Sequence, residues 1–92
     1  MDRTIREILG ERVLLLRRRA GLSQPELAGK AQMSVTTLNR VENAHQSLYM
    51  EKVATLAVVL NTTADYLLGL SDDYRRHGEK ERGLDTKSTS NT

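Results

Sequence analysis

One short stretch of the sequence places methyl, amide and guanidinium groups on the outer face of a predicted helix. A helix over residues 34–43 that buries Leu38 and Val41 leaves four other residues on its outer face: Val35, Thr36, Asn39 and Arg40. Valine and threonine methyl groups suit the C5-methyl group of thymine, asparagine can pair with adenine, and arginine can bind the O6 and N7 atoms of guanine. The same pattern also describes an ordinary solvent-exposed helix face, and composition alone favours that simpler interpretation.

Three capping signals predict the helices that must position this face. Thr4 and Ser23 each stand three residues before a glutamate, Glu7 and Glu26, which is the spacing of a capping box. Ser34 provides a third helix start of the same chemical kind. The second and third helices, each about eight residues long and joined by a short turn, form a predicted helix-turn-helix unit at about residues 23–43.

Apolar residues at helical spacing complete the prediction of an all-α fold, a compact bundle of five short helices. The first helix is expected over Ile5–Ala20, with a stripe made of Ile5, Ile8, Leu9, Val13, Leu16 and Ala20. The second is expected to stop by about Ala31, and the third near Asn43. The fourth carries the face Met50, Val53, Ala54, Leu56, Ala57 and Leu60, and the fifth starts after Thr63 and is closed by Gly69.

The composition fits one small domain with an aliphatic core. The chain has 92 residues, of which 38% are hydrophobic and 28% charged, and its aromatic residues are three tyrosines. Cysteine is absent, which excludes disulfides, thiolate zinc sites and cysteine nucleophiles. No apolar run approaches the roughly 18–20 residues of a membrane span, and the first residues lack the apolar stretch of a signal peptide. We therefore expect a cytoplasmic protein that does not bind membranes.

The domain is expected to occupy residues 1–71. Residues 72–92 are polar and nearly free of apolar side chains, so they cannot bury enough surface to offset the entropy lost on ordering. We expect them to form a mostly disordered tail. The net charge of +2 is compatible with an anionic partner but does not require one.

Catalysis has no support in the sequence. The two histidines, His45 and His77, are far apart, and the second lies in the tail. No glycine-rich phosphate loop, no metal-spaced cluster and no nucleophile motif is present. Asp72 and Asp73 are better explained as a solvated linker than as an acid/base pair. We predict no enzyme, no cofactor and no metal site.

Three segments, taken in order, resemble the phage-repressor and xenobiotic-response-element-like helix-turn-helix family. They are GERVLLLRRRAGLSQPELA, MSVTTLNRVEN and VATLAVVLNTTADYLLGLSD, and they carry a resemblance over residues 9–69, about two thirds of the chain. Each segment alone is a weak signal, but the three in register are a strong one. The resemblance implies a five-helix domain of the lambda-repressor-like type whose third helix enters the major groove of DNA.

The resemblance also implies roles for particular residues. Val35, Thr36 and Arg40 match positions that read bases in the family, and Asn39 is a fourth candidate. Gln24 matches a glutamine that binds a DNA phosphate, at a helix start whose free N–H groups attract anions. Further phosphate contacts are expected around the third helix from Ser34, Thr37 and Asn43, with His45 and Tyr49 as weaker candidates.

Arg17 and Glu42 match positions that form a structural ion pair in the family, joining the first helix to the end of the third. Arg18 and Arg19 are expected to be solvated and to add long-range attraction to DNA. Two positions depart from the family pattern, since Gln32 and Ala44 stand where glycine is usual. A left-handed backbone at such positions costs a non-glycine residue about 1 kcal/mol.

The sequence thus favours a sequence-specific regulator of transcription, a repressor that binds double-stranded DNA. It would bind an inverted repeat as a homodimer, and family precedent points to the fifth helix and Leu70–Tyr74 as the dimer surface. Two alternatives remain open. One is an antitoxin-type protein-binding module whose residues 72–92 order on a protein partner. The other is a helical scaffold that does not bind DNA.

Overall fold

The computed structural model describes residues 3–76, and all regular secondary structure in that part of the chain is helical. The helices are α1 (Ile5–Arg19), α2 (Gln24–Ala31), α3 (Val35–Glu42), α4 (Met50–Val59) and α5 (Ala64–Leu67). The prediction of an all-α domain of five short helices is therefore confirmed.

The helix starts follow the capping residues. The Thr4 hydroxyl accepts a hydrogen bond from the Glu7 N–H at 3.1 Å, and the Glu7 carboxylate accepts one from the Thr4 N–H at 2.9 Å. Ser23 and Glu26 form the same reciprocal pair before α2. The start of α4 differs, because its N-cap residue Tyr49 makes no side-chain capping bond.

Every one of these helices ends in the same way, with a left-handed residue after its last turn. A backbone N–H one residue later then donates to a carbonyl five positions back, which satisfies a free helix carbonyl. The left-handed residues are Gly21, Gln32, Ala44, Asn61 and Gly69. As a result, α1 ends one residue earlier than predicted, at Arg19, and α3 ends at Glu42.

The core lies where all five helices meet. Its buried side chains are Leu9, Val13, Leu16, Leu27, Ala28, Ala31, Leu38, Val41, Val53, Leu56, Ala57, Leu60, Tyr66 and Leu67. Four predicted core positions are wrong: Ile5, Ala20, Met50 and Ala54 are exposed, Met50 by 77%. Ile5 and Met50 are the first residues of their helices and Ala20 follows the last residue of α1, while Ala54 lies at the margin of the buried face of α4.

The chain continues past α5 along the outer side of α1. Arg12 of α1 donates from Nη1 to the carbonyls of Tyr66 and Ser71, at 2.7 Å each. Its guanidinium carbon lies 4.2 Å from the centre of the Tyr66 ring, and Nη2 lies 3.1 Å from an Asp72 carboxylate oxygen. Arg12 therefore fastens this segment to the first helix.

Residues 72–76, expected to belong to the disordered tail, pack against the domain instead. The hydroxyl of Thr62, a fully buried residue, donates to the Tyr74 carbonyl. The Tyr74 ring meets the Tyr66 ring edge to face, with centroids 6.1 Å apart. These contacts use backbone groups and rings, so a polar composition did not prevent them. The rest of the expected tail, residues 77–92, lies outside the described residues.

Within residues 3–76, no helix has the length and apolar content needed to cross a lipid bilayer.

Candidate nucleic-acid interface

The third helix presents one polar face to solvent. Leu38 and Val41 are completely buried and anchor α3 to the core. The four residues expected to read bases, Val35, Thr36, Asn39 and Arg40, are all exposed, Val35 by 41%. We call these four residues the recognition face. Since they share one side of a helix that is held only from the opposite side, a flat or convex partner can reach all of them.

The beginning of α3 is fixed by a small hydroxyl network. The Ser34 hydroxyl accepts a hydrogen bond from the Thr37 N–H at 3.0 Å, and it donates to the Thr37 hydroxyl oxygen at 2.9 Å. Ser34, expected to bind phosphate, therefore uses its proton within the helix cap. The hydroxyl proton of Thr37 remains available, so Thr37 is the better donor of the two toward an anion.

The end of α3 is closed by its own residues. The Asn43 side-chain amide donates to the Asn39 carbonyl at 2.9 Å, and the His45 N–H donates to the Arg40 carbonyl at 2.8 Å. Between them, Ala44 adopts a φ of 62°. Asn43, expected to bind phosphate, thus caps the helix, while His45 and Tyr49, the weaker candidates, are exposed.

Gln24 lies at the first position of α2 and reaches across to α3. Its amide nitrogen donates to Oε1 of Glu42 at 2.9 Å. A side-chain amide has two hydrogens, so one hydrogen of Gln24 still can be donated to a phosphate outside the protein. The structure therefore links a residue expected to bind phosphate to the residue expected to form the structural ion pair.

Arg17 and Glu42 form a two-pronged ion pair between α1 and the end of α3. Arg17 Nε lies 2.6 Å from Glu42 Oε2, and Nη2 lies 3.0 Å from Oε1. The two side chains are only 12% and 4% exposed, respectively. Arg17 Nη1 also donates to the Leu22 carbonyl at 2.9 Å. The hydrogen bond to Glu42 raises the pKa of Arg17, while burial acts in the opposite direction.

Gly10 lets the first helix approach the end of the third. A β-carbon at this position would stand 2.3 Å from the carbonyl oxygen of Val41 and 3.1 Å from that of Glu42. From the sequence alone, a glycine inside a helix counts only as a cost to that helix. The signal that could have suggested a close helix crossing was the glycine itself, placed beside the apolar stripe of α1.

Sequence reasoning also missed Lys52, which lies on α4. Its ammonium group donates to the carbonyls of Ala31 and Gln32, both at 3.0 Å. Lys52 lines a pocket of about 300 Å³ together with Ser34, Thr37 and Tyr49. No local pattern in the sequence could have paired Lys52 with a turn about twenty residues earlier.

Two basic residues at the end of α1 were expected to be solvated, and one of them contacts another part of the protein. Arg18 is exposed, as expected. Arg19 is exposed too, but its guanidinium carbon lies 4.7 Å from the centre of the Tyr74 ring, and Nη2 donates to the Tyr74 hydroxyl at 3.0 Å. Arg19 therefore helps to hold the segment after α5 instead of standing free in solvent. Across residues 3–76, no group of three or more histidine, cysteine or acidic side chains is placed to hold a metal ion.

Comparisons with known proteins agree with this geometry. A sequence model of the helix-turn-helix domain matches residues 8–68. The structure of a hypothetical transcription factor, NHTF from Neisseria, is similar over 70% of this chain and 74% of that one, with 28% identity and a TM-score of 0.66. A chain of the SinR protein/SinI protein complex is similar over 86% of this chain and 69% of that one, with 26% identity and a TM-score of 0.60. No curated protein matches the sequence significantly.

The family model covers well over half of the chain, and its limits enclose the core of the five-helix bundle and the recognition face on α3. Both similar structures have the same helical fold. The chain therefore belongs to the helix-turn-helix family of DNA-binding proteins, in its lambda-repressor-like branch.

Proposed function

We propose that this protein is a cytoplasmic, sequence-specific regulator of transcription that represses its target by binding double-stranded DNA. The observation that carries the proposal is the recognition face, whose four exposed side chains stand opposite the buried Leu38 and Val41. In this proposal α3 lies in the major groove, where Arg40 binds guanine, Asn39 binds adenine, and the methyl groups of Val35 and Thr36 contact thymine. No cofactor takes part.

The backbone of the DNA is held by side chains in the first turns of α2 and α3. Gln24 contributes the free hydrogen of its amide, and Thr37 contributes its hydroxyl proton. At the end of α3, Asn43 contributes the amide hydrogen that its bond to Asn39 leaves free, and Ser34 supports these contacts by capping α3. Arg17 and Glu42 hold α3 against α1 and do not touch the DNA.

The protein acts as a homodimer on an inverted repeat, with half-sites about one helical turn apart. The proposed dimer surface is α5 with Leu70–Tyr74. Leu70 is 72% exposed and Tyr74 is also solvent-accessible, so apolar area is available on the side of the domain where the chain leaves α5. Repression follows when the bound dimer occupies promoter DNA that the polymerase needs.

Selection of bound duplexes from a random pool tests this proposal. We expect an enriched palindrome with guanine, adenine and thymine at positions that α3 reaches, and a sedimentation mass of two chains per duplex. Enrichment without symmetry would exclude the inverted-repeat arrangement. No enrichment above the input pool, with a folded protein, would reject sequence-specific DNA binding altogether.

A protein partner is the second candidate function, of the antitoxin type expected from the polar residues 72–92. It is favoured by the similarity to a chain that was solved in the SinR protein/SinI protein complex. The partner would bind through residues 72–92. We expect a chain shortened after Arg76 to keep its DNA binding and to lose a stoichiometric protein that the full chain captures. Capture by the shortened chain would argue against this role for the tail.

A further inference from the structure

The turn between α2 and α3 contains a residue in an unfavourable conformation. Gln32 has a φ of 57° and a ψ of 52°, in the left-handed region where a side chain is crowded by its own backbone. The Met33 N–H donates to the Ala28 carbonyl at 2.9 Å, which closes the end of α2. Ser34 then begins α3, so a rotation at Gln32 would directly change the direction of α3.

One side chain from outside the helix-turn-helix unit reaches this turn. Lys52 of α4 donates to the carbonyl oxygens of the left-handed Gln32 and of Ala31, the residue before it, at 3.0 Å each. Hydrogen bonds from a charged donor are about twice as strong as neutral ones. The ammonium group also stands at the C-terminal end of α2, where the helix dipole favours a positive charge.

We propose that Lys52 is a positioning residue of the DNA-binding surface, because it holds the α2–α3 turn in the conformation that aims the recognition face. This inference rests on the proposed DNA-binding function. The two bonds of Lys52 fix the orientation of the peptide group between Ala31 and Gln32 and that of the next one, so they oppose the relaxation of Gln32 toward a negative φ. The strained backbone of Gln32 and the hydrogen bonds of Lys52 are therefore two parts of the same arrangement, in which the bonds offset the strain.

The alternative role of Lys52 is a direct contact with DNA phosphate, since Lys52 lines the same pocket as Thr37 and Tyr49. The two roles differ in a measurable way. A lysine that neutralises a phosphate adds about one to the slope of log affinity against log salt concentration. A positioning lysine changes affinity without changing that slope. The affinity lost with it is restored when a glycine at position 32 adopts the left-handed backbone without strain.

The test uses the full chain, in the variants Lys52→Met, Gln32→Gly and their combination, with Lys30→Met as the control. Methionine keeps the apolar stem of lysine, and Lys30 is an exposed lysine on α2 whose loss changes the charge equally. Affinity for an operator selected from random duplexes is measured against salt concentration, with each variant shown to be folded. We expect Lys52→Met to bind DNA about tenfold more weakly than Lys30→Met, with the same salt slope. In the Gln32→Gly background, we expect Lys52→Met to weaken DNA binding by less than about threefold.

Amide hydrogen exchange of Met33 gives a readout that does not depend on DNA. We expect its exchange to become about fivefold faster in Lys52→Met and to return to the parent rate in the combined variant. Unchanged exchange at Met33 would overturn the proposal whether or not the protein binds DNA. A salt slope lowered by about one, with no repair by Gln32→Gly, would also overturn it and would make Lys52 a phosphate ligand. Failure of the parent protein to bind any duplex would reject the proposed function, and the Met33 result would then decide the role of Lys52 in the turn alone.

Discussion

Gly10 of α1 lies against the backbone of Val41 in α3 so closely that there is no room for a β-carbon between them. A β-carbon on residue 10 would stand 2.3 Å from the Val41 carbonyl oxygen. The first helix therefore crosses the end of α3 at a distance that only glycine permits, and the same crossing brings Arg17 within reach of Glu42.

Substitution of Gly10 by alanine should destabilise the protein, although alanine is the better helix former. The intrinsic gain of about 1 kcal/mol is outweighed by overpacking against a backbone oxygen that cannot move freely, so we expect a net loss of about 1–3 kcal/mol in the free energy of unfolding. Urea unfolding measures it. Gly29→Ala is the matched control, because nothing lies near that position on α2 and it should gain stability. A stable Gly10→Ala protein would show that α1 and α3 pack less closely than described.

Loss of one partner of the Arg17–Glu42 pair should be costly, because the other charge stays buried without compensation. We expect Glu42→Ala to lower the free energy of unfolding by about 3–5 kcal/mol. Arg18→Ala, which removes an exposed charge from the neighbouring position, should change it by less than about 0.5 kcal/mol. Chemical denaturation of both variants checks the comparison. Equal, small effects would mean that the pair is solvated in solution.

Ala44 is held at a φ of 62° after α3, which a glycine adopts without strain. Ala44→Gly should therefore stabilise the protein by about 0.5–1 kcal/mol, after allowance for the greater freedom of glycine in the unfolded chain. Ala54→Gly, at an exposed position inside α4, should instead cost about 1 kcal/mol. Thermal unfolding of the two variants should show shifts of opposite sign, and a destabilised Ala44→Gly would argue against the left-handed conformation.

The capping box of α2 should make stability depend on pH. The backbone hydrogen bond from Ser23, with a further bond to its side chain, lowers the pKa of Glu26 from its ordinary value of 4.5. A carboxylate whose pKa is depressed in the folded protein contributes stability above its unfolded pKa and loses that contribution as the pH falls through the folded value. Stability should thus decrease on acidification below about 4.5. Glu26→Gln should reduce the pH dependence of the free energy of unfolding, measured by urea titrations at several pH values. Glu51→Gln, at a helix start without a side-chain cap, should reduce it less.

Arg40 and Gln24 should differ in the kind of DNA binding that they support. Arg40→Ala should weaken binding to the selected operator by about 1–3 kcal/mol and leave non-specific binding nearly unchanged, because it removes a base contact. Gln24→Ala should weaken binding to all duplexes similarly, because it removes a phosphate contact. Competition titrations with operator and random duplexes measure both. Uniform loss for both variants would exclude Arg40 from base recognition.

Much of the fold could be predicted because its determinants are local. Four helices begin after a hydroxyl residue that accepts a hydrogen bond from the N–H three residues later: Thr4, Ser23, Ser34 and Thr63. The start of each of these helices is therefore specified by residues within one turn of it. The start of α4 has no such signal, and Tyr49 provides no side-chain cap there. The exposed face of α3 was predictable for the same reason, since burial of Leu38 and Val41 decides which residues point outward.

The sequence by itself determined the order of the helices, four of their five starts, most of their apolar faces and the exposed face of α3, because caps and helical periodicity act over one or two turns of chain. Only the tertiary structure decided the contact of Gly10 with Val41, the bond between Gln24 and Glu42, the bonds of Lys52 to the α2–α3 turn, and the contacts of Arg12 with Ser71 and Asp72. Each of these joins residues that are distant in the chain, and such contacts depend on how the finished helices cross. Crossing geometry is set by the packing of the whole core, which no local pattern encodes.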